Sequence, residues 1–245
     1  MKICCLSDLH GHLPALDGGD LLIVAGDITA SNKVLQWMNF FDWLQDQCYE
    51  KKILIGGNHD GFLEECLNSN DAELMGIRED YDFDYLCDSG TTYQGLKIWG
   101  SPWTPAFCDW HFMKHTSDEL KQVWDKIPMD TDILVTHGPP YGVLDHVELS
   151  SRGDVFKHAG CHELLKAVNR VRPGLHCFGH IHENGGQHLL YKHPGSNTLC
   201  VNASIMDRDY RPTNSPVYLK YGPVGSYLNL QFTVNESKVG KTPNE

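Results

Sequence analysis

Short apolar runs recur along the chain at Ile3–Leu6, Leu21–Ala25, Ile53–Ile55, Ile133–Val135 and Leu175–Phe178. Each is rich in Ile, Leu and Val and is followed at once by polar residues, as at the carboxyl ends of buried strands in an α/β protein. Helices are predicted between them. Over Asn32–Gln47 the residues Val34, Leu35, Met38, Phe41 and Leu44 fall at near-helical spacing, and Ser117–Lys126 and Cys161–Val171 read the same way. Ser117, with Glu119 and Leu120 behind it, resembles a helix start. After residue 186 the pattern becomes short strands separated by turn residues, at His188–Lys192, Thr198–Val201, Val217–Tyr221 and Tyr227–Phe232. These predict a second, more antiparallel sheet packed on the first. No repeat, low-complexity tract or linker interrupts the chain. The expectation is one domain over residues 1–235, with the polar stretch 236–245 as a frayed tail.

Composition adds limits. The 245 residues suffice for one large domain that buries roughly 70–75% of its unfolded surface. No apolar run approaches the roughly 20 residues needed to cross a bilayer, so a soluble, non-membrane protein is expected. Met1–Ser7 lacks the long apolar segment and cleavage site of a secretory signal and reads as a first strand. Nine cysteines, several of them inside strand-like runs (Cys4, Cys5, Cys177, Cys200), occur without CxxC spacing. They are expected to be reduced and packed as small hydrophobes, consistent with a cytoplasmic location. The formal charge of −12 opposes a tight grip on long nucleic acid.

The candidate chemistry stands at the ends of the apolar runs. Asp8-Leu9-His10 and Gly179-His180-Ile181-His182 each place two ligand-type side chains at i and i+2, which an extended segment turns to one side. Gly26-Asp27, Gly56-Gly57-Asn58-His59-Asp60 and His137-Gly138 follow the other three runs. Any one cluster reads equally well as a strand end with a turn residue. Five strand ends finishing in Asp, Asn or His have no comparable structural explanation. Imidazole nitrogen with carboxylate or amide oxygen, and no thiolate, suits Mn, Fe or Zn. Two such cations roughly 3.5–4 Å apart lower the pKa of a shared water towards about 7 and neutralise phosphoryl oxygens.

This ordered set, D-x-H, G-D, G-N-H-[DE], H and G-H-x-H over residues 8–182, resembles the calcineurin-like metallophosphoesterase superfamily. Gly100-Ser101-Pro102-Trp103-Thr104-Pro105, Thr136-His137-Gly138-Pro139-Pro140 and Arg172-Pro173-Gly174-Leu175-His176 are similar to its metallophosphoesterase-domain (fetal-brain-type, MPPED) branch, as are Asn202-Ala203-Ser204 and Arg211-Pro212-Thr213-Asn214. The resemblance implies two mixed β-sheets packed as a sandwich and flanked by helices. It implies that Asp8, His10 and His182 hold one divalent metal and that Asn58, His137 and His180 hold the other, with Asp27 bridging. Because some members of the branch lack the first histidine of G-H-x-H, the presence of His180 implies a fully ligated pair. His59 would stand beside the metals, stabilising phosphoryl charge or protonating the leaving oxygen, and Asp60 would orient its imidazole. The segment after Gly26-Asp27 lacks the phosphate-clamping arginine of protein Ser/Thr phosphatases, which disfavours a phosphoprotein substrate.

The implied activity is hydrolysis of a small phosphodiester by a hydroxide bridging two metals, with 2′,3′- or 3′,5′-cyclic nucleotides as the suggested substrates. The alternatives are a phosphomonoesterase or nuclease of the same superfamily, or a non-catalytic metal-binding scaffold. The remaining histidines are expected at the surface or in packing, with His12 the one nearest a ligand pair. Trp103, Phe107, Trp110 and Phe112 share a Pro-containing loop that could stack a base or pack its own rings. A dinucleotide site is excluded because no G-x-G-x-x-G follows the first strand.

Overall fold

A computed structural model describes residues 1–69, 81–149, 156–224 and 227–235. The first of two six-stranded sheets is built on β1 (Lys2–Leu6), β2 (Gly19–Ala25), β3 (Tyr49–Ile55) and β4 (Asp84–Tyr85), all parallel. The second contains β5 (Ser89–Tyr93) and β6 (Leu96–Ser101). Two short strands, β7 (Thr104–Pro105) and β8 (Met113–Lys114), pair apart from both sheets. The second sheet continues with β9 (Ile133–Thr136), while β10 (His146–Glu148) and β11 (Phe156–His158) form a separate antiparallel pair. It is completed by β12 (Leu175–Phe178), β13 (His188–His193) and β14 (Ser196–Asn202), in the order β13-β14-β12-β9-β6-β5. Finally β15 (Val217–Val224) and β16 (Tyr227–Val234) extend the first sheet, whose order is β16-β15-β1-β2-β3-β4.

The fold is therefore mixed α/β with two mixed sheets, as expected, but the late strands do not form a sheet of their own. β15 lies antiparallel to β1, whereas β14 runs parallel to β12 and carries β13 as an antiparallel edge. Strand pairing across this distance in sequence is decided by which edge of each parallel sheet is left open, a property no local run of residues encodes.

Alternation within the buried strands builds two kinds of interface. Ile3, Cys5, Leu21, Ile23, Ile53 and Ile55 pack between the sheets against Ile98, Ile133, Val135, Leu175, Cys177 and Val201. Cys4, Leu6, Leu22, Val24 and Leu54 point the other way and meet helix α1 (Val34–Gln45). Because both faces are covered, the strands read as unbroken apolar runs rather than alternating ones. None of the nine cysteines is in a disulfide; Cys4, Cys5, Cys66, Cys161, Cys177 and Cys200 are buried as packing groups, Cys87 is half-buried, and Cys48 and Cys108 are exposed.

Helix α1 buries Trp37, Phe40, Phe41 and Leu44, while Val34, Leu35 and Met38 are exposed at 74%, 66% and 57%. The apolar face suggested by the sequence spacing is thus rotated. The aromatic set at i, i+3, i+4 and i+7 buries more surface than the aliphatic one, and it faces the sheet. Helix α2 (Gly61–Ser69) follows the third ligand loop directly. Helix α3 (Ser117–Trp124) is capped one residue earlier than expected: Thr116 Oγ1 accepts from the Glu119 amide, and the Glu119 carboxylate accepts from the Thr116 amide. Helix α4 (His162–Val171) starts at Cys161, whose Sγ accepts from the Leu164 amide at 3.4 Å, and stops at Arg172 in a left-handed conformation. Leu164, Ala167, Val168 and Val171 of this helix pack with α3 over Leu134. No helix among the described residues is long and apolar enough to cross a membrane. The expected tail, 236–245, lies outside the described residues.

Candidate metal centre

Parallel pairing in both sheets brings the carboxyl ends of β1, β2 and β3 to the same rim as those of β9 and β12. The loops there brace one another through the backbone. Asp8 N donates to Gly26 O at 3.0 Å, His10 N to Asp27 O at 3.0 Å, Gly179 N to His137 O at 2.8 Å, and Ser7 N to Ala203 O across the two sheets at 2.8 Å. Four of the side chains that converge here belong to residues with left-handed backbones: Asp8 (φ 54°), His10 (φ 44°), Asp27 (φ 51°) and His180 (φ 70°). Such conformations cost on the order of 1–3 kcal/mol each and persist where the surroundings over-determine them. They accompany the gathering of these side chains into one cluster at the strand ends.

Asp27 occupies the middle of this cluster. Its Oδ1 accepts from the His59 amide at 2.8 Å and lies 3.4 Å from His137 Nε2, while Oδ2 is 3.8 Å from His10 Nε2 and 3.9 Å from His59 Nε2. To one side, Asp8 Oδ1 is 3.3 Å from His182 Nε2, and His182 Nε2 is 3.4 Å from His10 Nε2. To the other, His137 Nε2 is 3.0 Å from Asn58 Oδ1. Ligand atoms fall into overlapping groups, Asp8 with His10 and His182, His10 with Asp27 and His59, and Asp27 with His137 and His180, each within 4.8 Å. All seven residues singled out as ligands in the sequence are brought together. Of the other histidines, His12 is exposed and belongs to none of these groups, and His176 is fully buried against Thr136 and belongs to none either.

The donor set fits divalent cations. His10 and His182 point ring nitrogens at each other, an arrangement that leaves electron pairs opposed unless a proton or a cation lies between them. His137 Nδ1 donates to Ala25 O at 2.9 Å, so its Nε2 is the nitrogen turned to the cluster, the usual way a backbone carbonyl fixes a ligating imidazole. Burial raises the Asp27 carboxyl, but the charge and hydrogen bond of His137 outweigh it and bring it down to about 2. Conversely, burial lowers His137, and the Asp27 charge overrides this to carry it up to about 9. Asp8 is likewise held well below the carboxylate range by His182 despite complete burial. A site whose buried anions are balanced by protonated imidazoles is one in which divalent cations can take the place of those protons.

His59 is held at the edge of the cluster by Nδ1–H donation to Ala30 O at 2.9 Å, with Nε2 turned towards Asp27. The expectation that Asp60 orients this imidazole is corrected. The Asp60 carboxylate is fully buried and accepts from the amides of Gly57 (2.9 Å), Ile28 (3.1 Å) and Thr29 (3.0 Å). It ties the third ligand loop to the second. The His59 ring makes no hydrogen bond with this carboxylate: its Nδ1 is taken by the Ala30 carbonyl, and the ring meets His10 and Trp110. Burial and the Asp27 charge push the Asp60 carboxyl up to about 7, against the pull of the three amides.

A cleft of about 550 Å³ opens over the cluster and runs outwards past Phe107, Trp110, Tyr141, Lys157, Arg208 and Tyr210. The aromatic loop divides. Phe112 is fully buried against Trp103, while Phe107 and Trp110 are on the cleft wall, Trp110 edge-on to His59 with ring centres 4.0 Å apart and Phe107 5.2 Å from His180. Sequence reasoning missed Tyr210, whose ring is edge-on to both His10 (5.1 Å) and His182 (4.7 Å). Only its nearness to Arg211-Pro212-Thr213-Asn214 hinted that the segment mattered. Nothing local marked that tyrosine out.

A family profile described as calcineurin-like phosphoesterase matches residues 1–184. Metallophosphoesterase domain-containing protein 1 of Homo sapiens is 35% identical over 238 residues, covering 89% of this chain and 70% of that protein. UPF0046 protein K07C11.7 of Caenorhabditis elegans is 31% identical over 227 residues, covering 89% of this chain and 74% of that one. Among solved structures, TT1561 of Thermus thermophilus superposes with a TM-score of 0.59 at 16% identity, over 95% of this chain and 98% of that one, a likeness of fold.

Proposed function

The chain belongs to the calcineurin-like phosphoesterase family, and from that premise we propose that it is a two-metal phosphodiesterase acting on a small phosphodiester such as a cyclic nucleotide. The observation that carries the reading is the convergence of Asp8, His10, Asp27, Asn58, His137, His180 and His182 on one rim, in groups linked in turn through His10 and Asp27. Asp8, His10 and His182 would hold one divalent cation and Asn58, His137 and His180 the other, with Asp27 available to both. When bound, such a pair supplies Lewis-acid activation of water and of the phosphoryl oxygens.

The chain's own groups do the rest. Ala25 O and Ala30 O fix the tautomers of His137 and His59 through their Nδ1 protons. With Nδ1–H committed, the imidazolium form of His59 carries its transferable proton on Nε2, the nitrogen facing the centre, where it neutralises phosphoryl charge and protonates the departing alcohol. Trp110, packed edge-on against His59, excludes water from one side of that ring. Lys157 lines the same cleft, as does Arg208, which is ion-paired with Glu148, so Lys157 is the cationic side chain turned to a phosphoester there. Phe107, Trp110 and Tyr210 present flat apolar surface to the organic half of the ester.

The test is hydrolysis of an aryl phosphodiester and its monoester by chelator-stripped protein, with and without Mn. Diester cleavage that returns with Mn supports the proposal and directs a screen of 2′,3′- and 3′,5′-cyclic nucleotides. Cleavage of the monoester alone, or of neither ester while metal is bound, refutes it.

A further inference from the structure

A second group of imidazoles stands at the outer end of the cleft, on the β10–β11 pair. His146 and His158 are directly opposite each other across the two strands, both exposed, with ring centres 4.4 Å apart. Beside them is the fully buried carboxylate of Asp145. Its Oδ2 accepts from the amides of Gly142 (2.9 Å) and Gly160 (3.0 Å), which leaves Oδ1 to face the rings, where it accepts from His158 Nδ1 at 2.7 Å. One ligand atom from each of Asp145, His146 and His158 falls within 4.8 Å of the others.

We propose that Asp145, His146 and His158 form an additional divalent-cation site at the mouth of the cleft, separate from the strand-end centre. Directly opposed residues of an antiparallel pair have Cβ atoms about 4.5–5.5 Å apart, close enough for two imidazoles to reach one ion at about 2.0–2.1 Å. Two imidazoles with one carboxylate select zinc, nickel or copper(II) over magnesium or calcium, whose preference is for oxygen alone. The carboxylate is already oriented by two backbone amides, the outer-shell support that ligating carboxylates require. The ion takes His158 Nδ1 in place of the proton now given to Asp145 Oδ1, and the ring keeps its one proton by carrying it on Nε2 instead, so that it binds as a neutral ligand. His158 lines the same cleft as Asp27 and His59, so an ion bound here adds positive charge to the wall that a phosphoester passes.

The experiment is equilibrium dialysis of chelator-stripped full-length protein against buffered Zn²⁺, with metal content read by atomic emission. The His146→Ala, His158→Ala double variant is expected to bind one equivalent per chain fewer than wild type. Both side chains are exposed, and a matching thermal melt of the stripped proteins establishes that the variant folds. His137→Ala disturbs the strand-end centre, and adding the double substitution to it should remove one further equivalent. Equal zinc content in wild type and the double variant, or a loss that duplicates the one caused by His137→Ala, overturns the proposal. Because the readout is a difference of one equivalent, it stands or falls apart from the activity proposed above.

Discussion

Gly57 is the residue at which the geometry of the centre is most exposed to a single methyl group. A Cβ placed there lies 2.3 Å from both the backbone N and the Oδ1 of Asp27, and 2.8 Å from His137 Cε1. Two of these three neighbours cannot yield cheaply: the Asp27 backbone is fixed in a left-handed turn whose carbonyl accepts from His10, and the His137 ring is fully buried. The Asp27 carboxylate must therefore retreat by about 0.7 Å or more to restore the 3.0 Å that real Cβ contacts respect. Overpacking of this kind costs about 1–3 kcal/mol of stability. Displacement matters more for activity, since a misplacement of about 1 Å at a reacting centre costs on the order of 10²-fold. Gly57→Ala is expected to lower kcat/KM for an aryl phosphodiester by about 10²-fold in Mn-reconstituted protein and to reduce bound metal. Gly222→Ala, where an added Cβ meets nothing within 4 Å, serves as the control and should stay within about 0.5 kcal/mol of wild type. Wild-type turnover and metal content in Gly57→Ala would refute the placement of Asp27 as the bridge.

Three further outcomes follow from the same structure. His59→Ala should lower turnover by about 10²–10⁴ while metal content by atomic emission stays at the wild-type level; loss of metal in that variant would place His59 among the ligands instead. Thr116→Ala removes the capping box of α3, and a thermal melt should show a cost of about 1 kcal/mol, or about 2–4 °C, with hydrolysis unchanged. Burial holds His176 down at about 3, and Thr136 Oγ1, whose own hydrogen goes to Gly138 O, accepts from its Nε2–H. The unfolded chain protonates this imidazole below about 6.5 while the folded one does not until about 3, so its share of stability is full above about 6.5 and is lost as pH falls, by about 1.4 kcal/mol per unit. Urea titrations of stripped protein between pH 7.5 and 5.5 should therefore slope less steeply for His176→Leu than for wild type, and equal slopes would contradict the assignment.

The strands that carry ligands were legible because each is buried on both faces and so leaves an unbroken apolar run, and the ligands were legible because each follows such a run at once. Ile3–Leu6 ahead of Asp8 and Leu175–Phe178 ahead of His180 needed no knowledge of the fold. Helix α1 was legible as a helix but not in its orientation, because its sequence offers two apolar stripes and only the sheet beneath selects Trp37, Phe40, Phe41 and Leu44. Asp60 shows the same limit at the site. Adjacency to His59 suggested a partner for the imidazole, yet the tight turn sends consecutive side chains apart and gives the carboxylate to three amides.

What the sequence determined alone is the identity and order of the candidate ligand side chains and the strands that end in them, since both are written in residues close together along the chain. What only the tertiary structure decided is the company those side chains keep: Tyr210 over His10 and His182, Trp110 against His59, and His146 opposite His158 beside Asp145. The first two join residues far apart in sequence, and the third depends on a strand pairing that folds the chain back on itself. Tyr210 is placed by the segment joining β14 to β15, Trp110 by the loop between β7 and β8, and His146 by the β10–β11 pairing, and no local propensity records any of these.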